Sequence, residues 1–123
     1  MASLIEEFAR TESGHGRGLF LQSASKTLVG VGTAGEAVKW LHDRQAVILG
    51  FEGFRTNGFA LTPLLEYIAD FSTIEGSRAE RVARSAEAAL RVLANWQRGP
   101  EFVEFVYEQQ ADDAGPTKVF LEG

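Results

Sequence analysis

The residues Gly30-Val31-Gly32-Thr33-Ala34-Gly35 match the pattern G-x-G-x-x-G. They come after a predicted strand and open a predicted helix, and Glu52 stands on the next predicted strand. This is the layout of a dinucleotide-binding turn: glycines admit a pyrophosphate, a helix N-terminus stabilises its charge, and the acid bonds a ribose. That chemistry needs several parallel strands joined by crossover helices. The chain beyond Glu52 instead carries a hairpin signal and one long helix, which argues against it. The plainer reading is a glycine loop leading into a capping box of Thr33 and Glu36.

A second candidate is Gly50-Phe51-Glu52-Gly53-Phe54-Arg55. Two glycines inside an apolar strand mark a bulge, or a close approach by another backbone or a ligand. Glu52 shares a strand face with Ile48 and Phe54, so a central strand would bury its carboxylate in part and require a partner for it. One reading is a pocket between the sheet and the long helix, with Glu52 at its floor and Trp40, Phe54 and Tyr67 as walls. Arg55 and Asp70 complete the candidate binding set. The alternative is a strand end at which Glu52 is solvated or capped.

Other chemistry is thinly represented. Glu66 and Asp70, four apart on a helix, could do acid–base work only if their surroundings split their pKa values. His15 and His42 are the two histidines, and neither has a metal-ligand spacing or a triad signature around it. Arg81, Arg84 and Arg91 would share one side of the long helix and could meet an anion. The pairs Glu80–Arg84 and Glu87–Arg91 make a solvated, ion-paired face the better account. No catalytic set, metal or cofactor is expected.

Composition narrows the classes further. The chain has 123 residues, 45% of them hydrophobic and 24% charged, which is ordinary globular composition and excludes wholesale disorder. Acidic residues number 17 against 12 basic, a formal charge of −5, so a nucleic-acid partner is not expected. There is no cysteine, which excludes disulfide scaffolds and thiolate chemistry. No stretch is long and apolar enough to span a bilayer, and the acidic start lacks the features of a signal peptide, so a cytoplasmic protein is expected. Met1-Ala2-Ser3 and Leu121-Glu122-Gly123 resemble vector remnants.

Pattern also predicts the helices and strands on which these residues sit. A helix is predicted over 3–11, capped by Ser3 and Glu6, then a glycine loop over 12–18. Two strands fall within 19–31. A helix runs from Thr33 to Arg44, and a strand from Ala46 to Phe54 with both faces largely apolar. Asn57-Gly58 signals a hairpin into a short strand, Phe59 to Leu61. Residues 62–71 read as a short helix begun by Thr62-Pro63, although the alternation Leu65, Tyr67, Ala69, Phe71 also permits a strand. Ser77 and Glu80 box the start of a long helix to Gln97, which Gly99-Pro100 stops. Glu101 to Glu108 is a last strand rich in Phe, Val and Tyr.

The order predicts an α+β fold: a small two-layer single domain over 1–123, with helices packed on one face of a mainly antiparallel sheet and 109–123 a loose tail. Phe102, Val103, Phe105, Val106 and Tyr107 make both faces of the last strand apolar. The surplus face would be covered by the N-terminal helix or by a second copy, a homodimer. The function expected is that of a non-catalytic binding protein acting through protein–protein contact. One form is a small acidic bacterial inhibitor or immunity-like protein masking a basic site. A small-molecule-binding pocket protein, a sensor or minor enzyme built on Glu52, is the alternative.

Overall fold

The computed structural model describes residues 4–11, 20–23, 26–57 and 60–109. Eight elements succeed one another: α1 (Leu4–Thr11), β1 (Phe20–Ser23), β2 (Lys26–Gly30), α2 (Ala34–Asp43), β3 (Val47–Asn57), β4 (Ala60–Asp70), α3 (Arg78–Asn95) and β5 (Phe102–Glu108). The strands form one sheet in the order β1-β2-β5-β3-β4, and every neighbouring pair is antiparallel. The fold is the expected α+β arrangement.

The core lies between the sheet and the helices. Phe51 is its hub, with ring centroids of Trp96, Phe105 and Phe71 at 5.1, 5.4 and 5.6 Å, each edge-on. Such edge-to-face contacts add to the burial of the rings themselves. From α2 come Ala34, Ala37, Val38 and Leu41, and from α3 come Ala86, Ala89 and Leu93. The small residues of α3 allow it to sit close to β3 and α2. Its capping box forms as read from the sequence: Ser77 Oγ accepts the Glu80 N–H at 3.2 Å, and Glu80 Oε1 accepts the Ser77 N–H at 2.8 Å.

Several expectations are corrected. Residues 62–71 are not a helix. Residues 62–70 belong to β4, which also takes in Ala60 and Leu61 of the short strand expected there; Phe59 lies outside the described residues. The helix-like spacing arises because β4 carries an irregularity. Its pairing with β3 jumps from Glu52↔Ile68 to Gly53↔Leu64, so Leu65, Glu66 and Tyr67 have no partners and the period of two is broken. The Thr33–Glu36 capping box does not form. Thr33 lies near helical φ/ψ and its side chain makes no cap bond. Helix α1 does not cover the surplus sheet face. Its Phe8 ring packs tilted against Trp40 of α2 at 5.6 Å, and its Leu4 carbonyl accepts the Trp40 Nε1–H at 3.1 Å, which puts it with the other helices. The expected cap at Ser3, the 12–18 loop with His15, and the tail beyond 109 lie outside the described residues.

The glycines of β3 have specific causes. A Cβ at Gly53 would stand 2.7 Å from Pro100 Cβ and 2.9 Å from Tyr67 Cβ, and one at Gly50 would run into the Ala69 carbonyl of β4. Neighbouring protein atoms occupy both spaces, and close packing accounts for both glycines.

Candidate functional site

The sheet register sorts the predicted site residues onto different surfaces. Phe51 and its Cα partners Phe105 and Ala69 face the helices. One residue on, the alternation turns Glu52 and its partners Glu104 and Ile68 to the opposite face. The row of Val106, Gly50 and Asp70 lies on one side of them, and the row of Phe102, Phe54 and Pro63 on the other. Glu52 and Phe54 therefore share the face away from α3, and Phe54 is buried there.

Trp40, Tyr67 and Arg55 go elsewhere, and Asp70, two residues along β4 from the Glu52 partner Ile68, is taken up by a turn. Trp40 lies on α2 against Phe8, with the Arg44 guanidinium 3.1 Å above its ring. Tyr67 packs edge-on to Trp96 at 5.2 Å, over Gly53 and Gly99. Arg55 donates from Nη2 to the Gly99 carbonyl at 2.7 Å. Asp70 closes a turn by accepting the Ser72 Oγ–H at 2.6 Å and its N–H at 2.9 Å, bonds that hold its carboxyl below the ordinary value of 3.8. These six side chains do not line one cavity, and Glu52 is separated from Trp40 and Tyr67 by the thickness of the sheet.

The glycine turn Gly30–Gly32 borders an open cleft of about 610 Å³ with Thr56, Arg98, Gly99 and Glu101. Glu101 is occupied structurally: its Oε1 accepts the Thr56 N–H at 2.7 Å and the Thr56 Oγ1–H at 2.8 Å, which holds its carboxyl below the ordinary 4.5. No two neighbouring strands are parallel, so the crossover pair that a dinucleotide turn requires is not formed among the described residues. The arginines of α3 are engaged as its sequence suggests. Arg91 pairs with Glu87 at 3.2 Å and Arg84 with Glu80 at 3.9 Å. Arg78 and Arg81 reach Glu108 at 3.4 and 3.5 Å. Among the described residues, no group of three His, Cys, Asp or Glu side chains is placed to hold a metal ion, and no helix is long and apolar enough to cross a membrane.

The sheet face away from the helices is open only in part, since Phe54 is buried there. Ile68 is 51% exposed and Val106 52%, and they flank the Glu52–Glu104 pair diagonally across β3. Leu65, in the β4 irregularity, is 79% exposed. Strands β3, β4 and β5 carry Glu52, Glu66, Asp70, Glu104 and Glu108 and one cation, Arg55, which is turned to Gly99; Glu108 is met by Arg78 and Arg81 of α3. Helices α2 and α3 carry Lys39, Arg78, Arg81, Arg84 and Arg91 together with Glu36, Asp43, Glu80 and Glu87, close to balance. Glu104, Ile68, Val106 and Leu65 are absent from the predicted site set. Their signal in the sequence is the apolar second face of the last strand, to which Val106 belongs.

Comparison with family models, curated proteins and solved structures found no match to this chain.

Proposed function

We propose that this chain is a non-catalytic binding domain that acts through protein–protein contact, as a small acidic inhibitor or immunity-like protein would, in a cytoplasmic setting. The observation that carries this reading is the pair of half-exposed apolar residues, Ile68 and Val106, beside two facing carboxylates on a sheet surface away from the helices. Apolar anchors beside like charges suit a surface that captures an oppositely charged partner, because the charge steers the encounter and the anchors hold it. A second copy is the less favoured occupant. Two-fold pairing through this face would bring its acidic rows together. A small-molecule pocket floored by Glu52 has less support, since two of its three intended walls, Trp40 and Tyr67, stand on the other side of the sheet.

A thermal-shift panel of nucleotides, NAD(P), flavins, sugars, amino acids and divalent metals tests this reading. A ligand at about 100 times its dissociation constant adds about 2.7 kcal/mol. In a domain of this size that raises Tm by about 10 °C. The expected result is a flat panel. A shift of that size with any of these compounds overturns the reading.

A further inference from the structure

Helices α2 and α3 pack side by side and leave an apolar groove of about 280 Å³ between them. Its floor is Val38 and Ala86, which belong to the core. Ala83 and Leu90 line it from α3, and both are exposed. Among the described residues, Leu90 is the one large apolar side chain on a helix that stays exposed. It meets α2 at Gly35, where an added Cβ would stand 3.6 Å from its Cδ2. The groove thus combines a shallow stretch beside Ala83 with a projecting leucine two turns along α3. A ridge and a hollow on one surface can serve each other across a two-fold axis.

The charges are arranged across the groove. Lys39 stands exposed on its α2 side and Glu87 exposed on its α3 side. His42, beside Lys39 on α2, is turned to Asp43 at 3.3 Å. Glu87 holds Arg91 at 3.2 Å through one oxygen, but both side chains are well exposed, so the pair contributes little and the other oxygen can accept a second cation. A two-fold axis along the groove lays α2 of each copy over α3 of the other. Each Lys39 then faces the Glu87 of the other copy, and each Leu90 faces the other groove. A partner of uniform charge would suit one side of the groove and be repelled by the other. Acids and bases on α2 and α3 are close to balance, so net charge does not keep two such faces apart. We propose that the chain forms a two-fold homodimer through the α2–α3 groove, with Leu90 buried at the contact and Lys39 paired with Glu87 across it. The dimer is independent of the binding-domain reading, because α2 and α3 lie on the opposite side of the sheet from Ile68 and Val106.

Sedimentation equilibrium of the full chain over a concentration series tests the dimer. The species expected at high concentration has twice the 13.4 kDa mass of one chain. Leu90→Glu should leave a monomer with an unchanged far-UV circular dichroism spectrum. Ala83→Glu, at an exposed helical position that glutamate suits, should do the same. Lys39→Glu alone and Glu87→Lys alone should each weaken self-association about tenfold, since each substitution enters a two-fold contact twice. An equal mixture of these two variants should regain the affinity of the parent chain, because each reversed charge then meets its opposite in the other variant. Leu65→Asp, at a 79% exposed position on β4, should leave self-association within about twofold, as a change outside the contact does. Four results overturn the proposal: a parent chain that is monomeric into the millimolar range, a dimer that survives both Leu90→Glu and Ala83→Glu, a dimer lost with Leu65→Asp, or a mixture of the two charge variants that associates no more tightly than either alone.

Discussion

Glu52 on β3 and Glu104 on β5 are direct cross-strand partners on the sheet face that carries Ile68 and Val106. Like charges so placed destabilise a sheet by roughly 0.2–1 kcal/mol. Glu52→Gln should therefore raise Tm by about 1–3 °C, the shift expected for a few tenths of a kcal/mol. A fall in Tm, measured by calorimetry, would show that Glu52 instead supports the fold.

Ser85 bridges α3 to β3. It is fully buried, its Oγ accepts the Ile48 N–H at 3.0 Å, and its hydroxyl donates to the Val82 carbonyl at 3.3 Å. The acceptance matters because the β3–β5 register is irregular between Ile48 and Gly50. Ser85→Ala leaves a buried N–H without a partner, a loss of about 1–3 kcal/mol. Urea denaturation should show a lower midpoint with an unchanged slope. An unchanged midpoint would mean that another acceptor takes over.

Gly53 and Gly32 should respond in opposite directions to alanine. At Gly53 the new Cβ meets Pro100 and Tyr67, and overpacking of this kind lowers stability by about 1–3 kcal/mol. At Gly32 nothing lies within 4 Å and φ is outside the left-handed region, so alanine should be neutral or stabilise by up to about 1 kcal/mol. Thermal melts of the two variants check the pair. A stable Gly53→Ala would contradict the packing of Tyr67 over β3.

The acid limb of stability should depend on three surface carboxylates. Glu101 is held below 4.5 by the Thr56 N–H and hydroxyl. Glu80 is held below 4.5 by its bonds from Ser77 and then by Arg84. Asp70 is held below 3.8 by the Ser72 hydroxyl and N–H. A carboxyl with a depressed folded pKa contributes stability that is fully present above its unfolded value and lost as pH falls through the folded one. Tm should accordingly hold down to about pH 5 and then decline. Glu101→Gln should flatten part of that decline, and a decline identical to that of the parent chain would contradict the role of Thr56.

The elements differ in how openly the sequence declares them. Helix α3 is legible because Ser77, Glu80 and the stripe Val82, Ala86, Ala89, Leu93 all agree, and each behaves as read. Strand β4 is not, because Leu61, Leu64, Leu65 and Ile68 have helical spacing and the unpartnered Leu65–Tyr67 segment hides the alternation. The capping box at Thr33 shows the opposite error: the residue types are right but the backbone is already helical there, so the hydroxyl makes no cap bond. For the candidate surface, periodicity exposes the apolar second face of β5. It cannot place Glu104 beside Glu52, since that neighbour is set by a strand order linking distant parts of the chain. Gly50 and Gly53 rightly mark close approaches, and only the fold shows that protein atoms make them.

The sheet face as the binding surface under the proposed function is open to a residue-by-residue check: an amide chemical-shift map of the full chain titrated with a synthetic amphipathic helix that carries leucine on one face and lysine on the other. The perturbed amides should centre on Gly50, Glu52, Ile68, Glu104 and Val106, with α2 and α3 unmoved. Perturbations centred instead on the apolar groove between the helices, at Val38, Ala86 and Leu90, would contradict docking on the sheet.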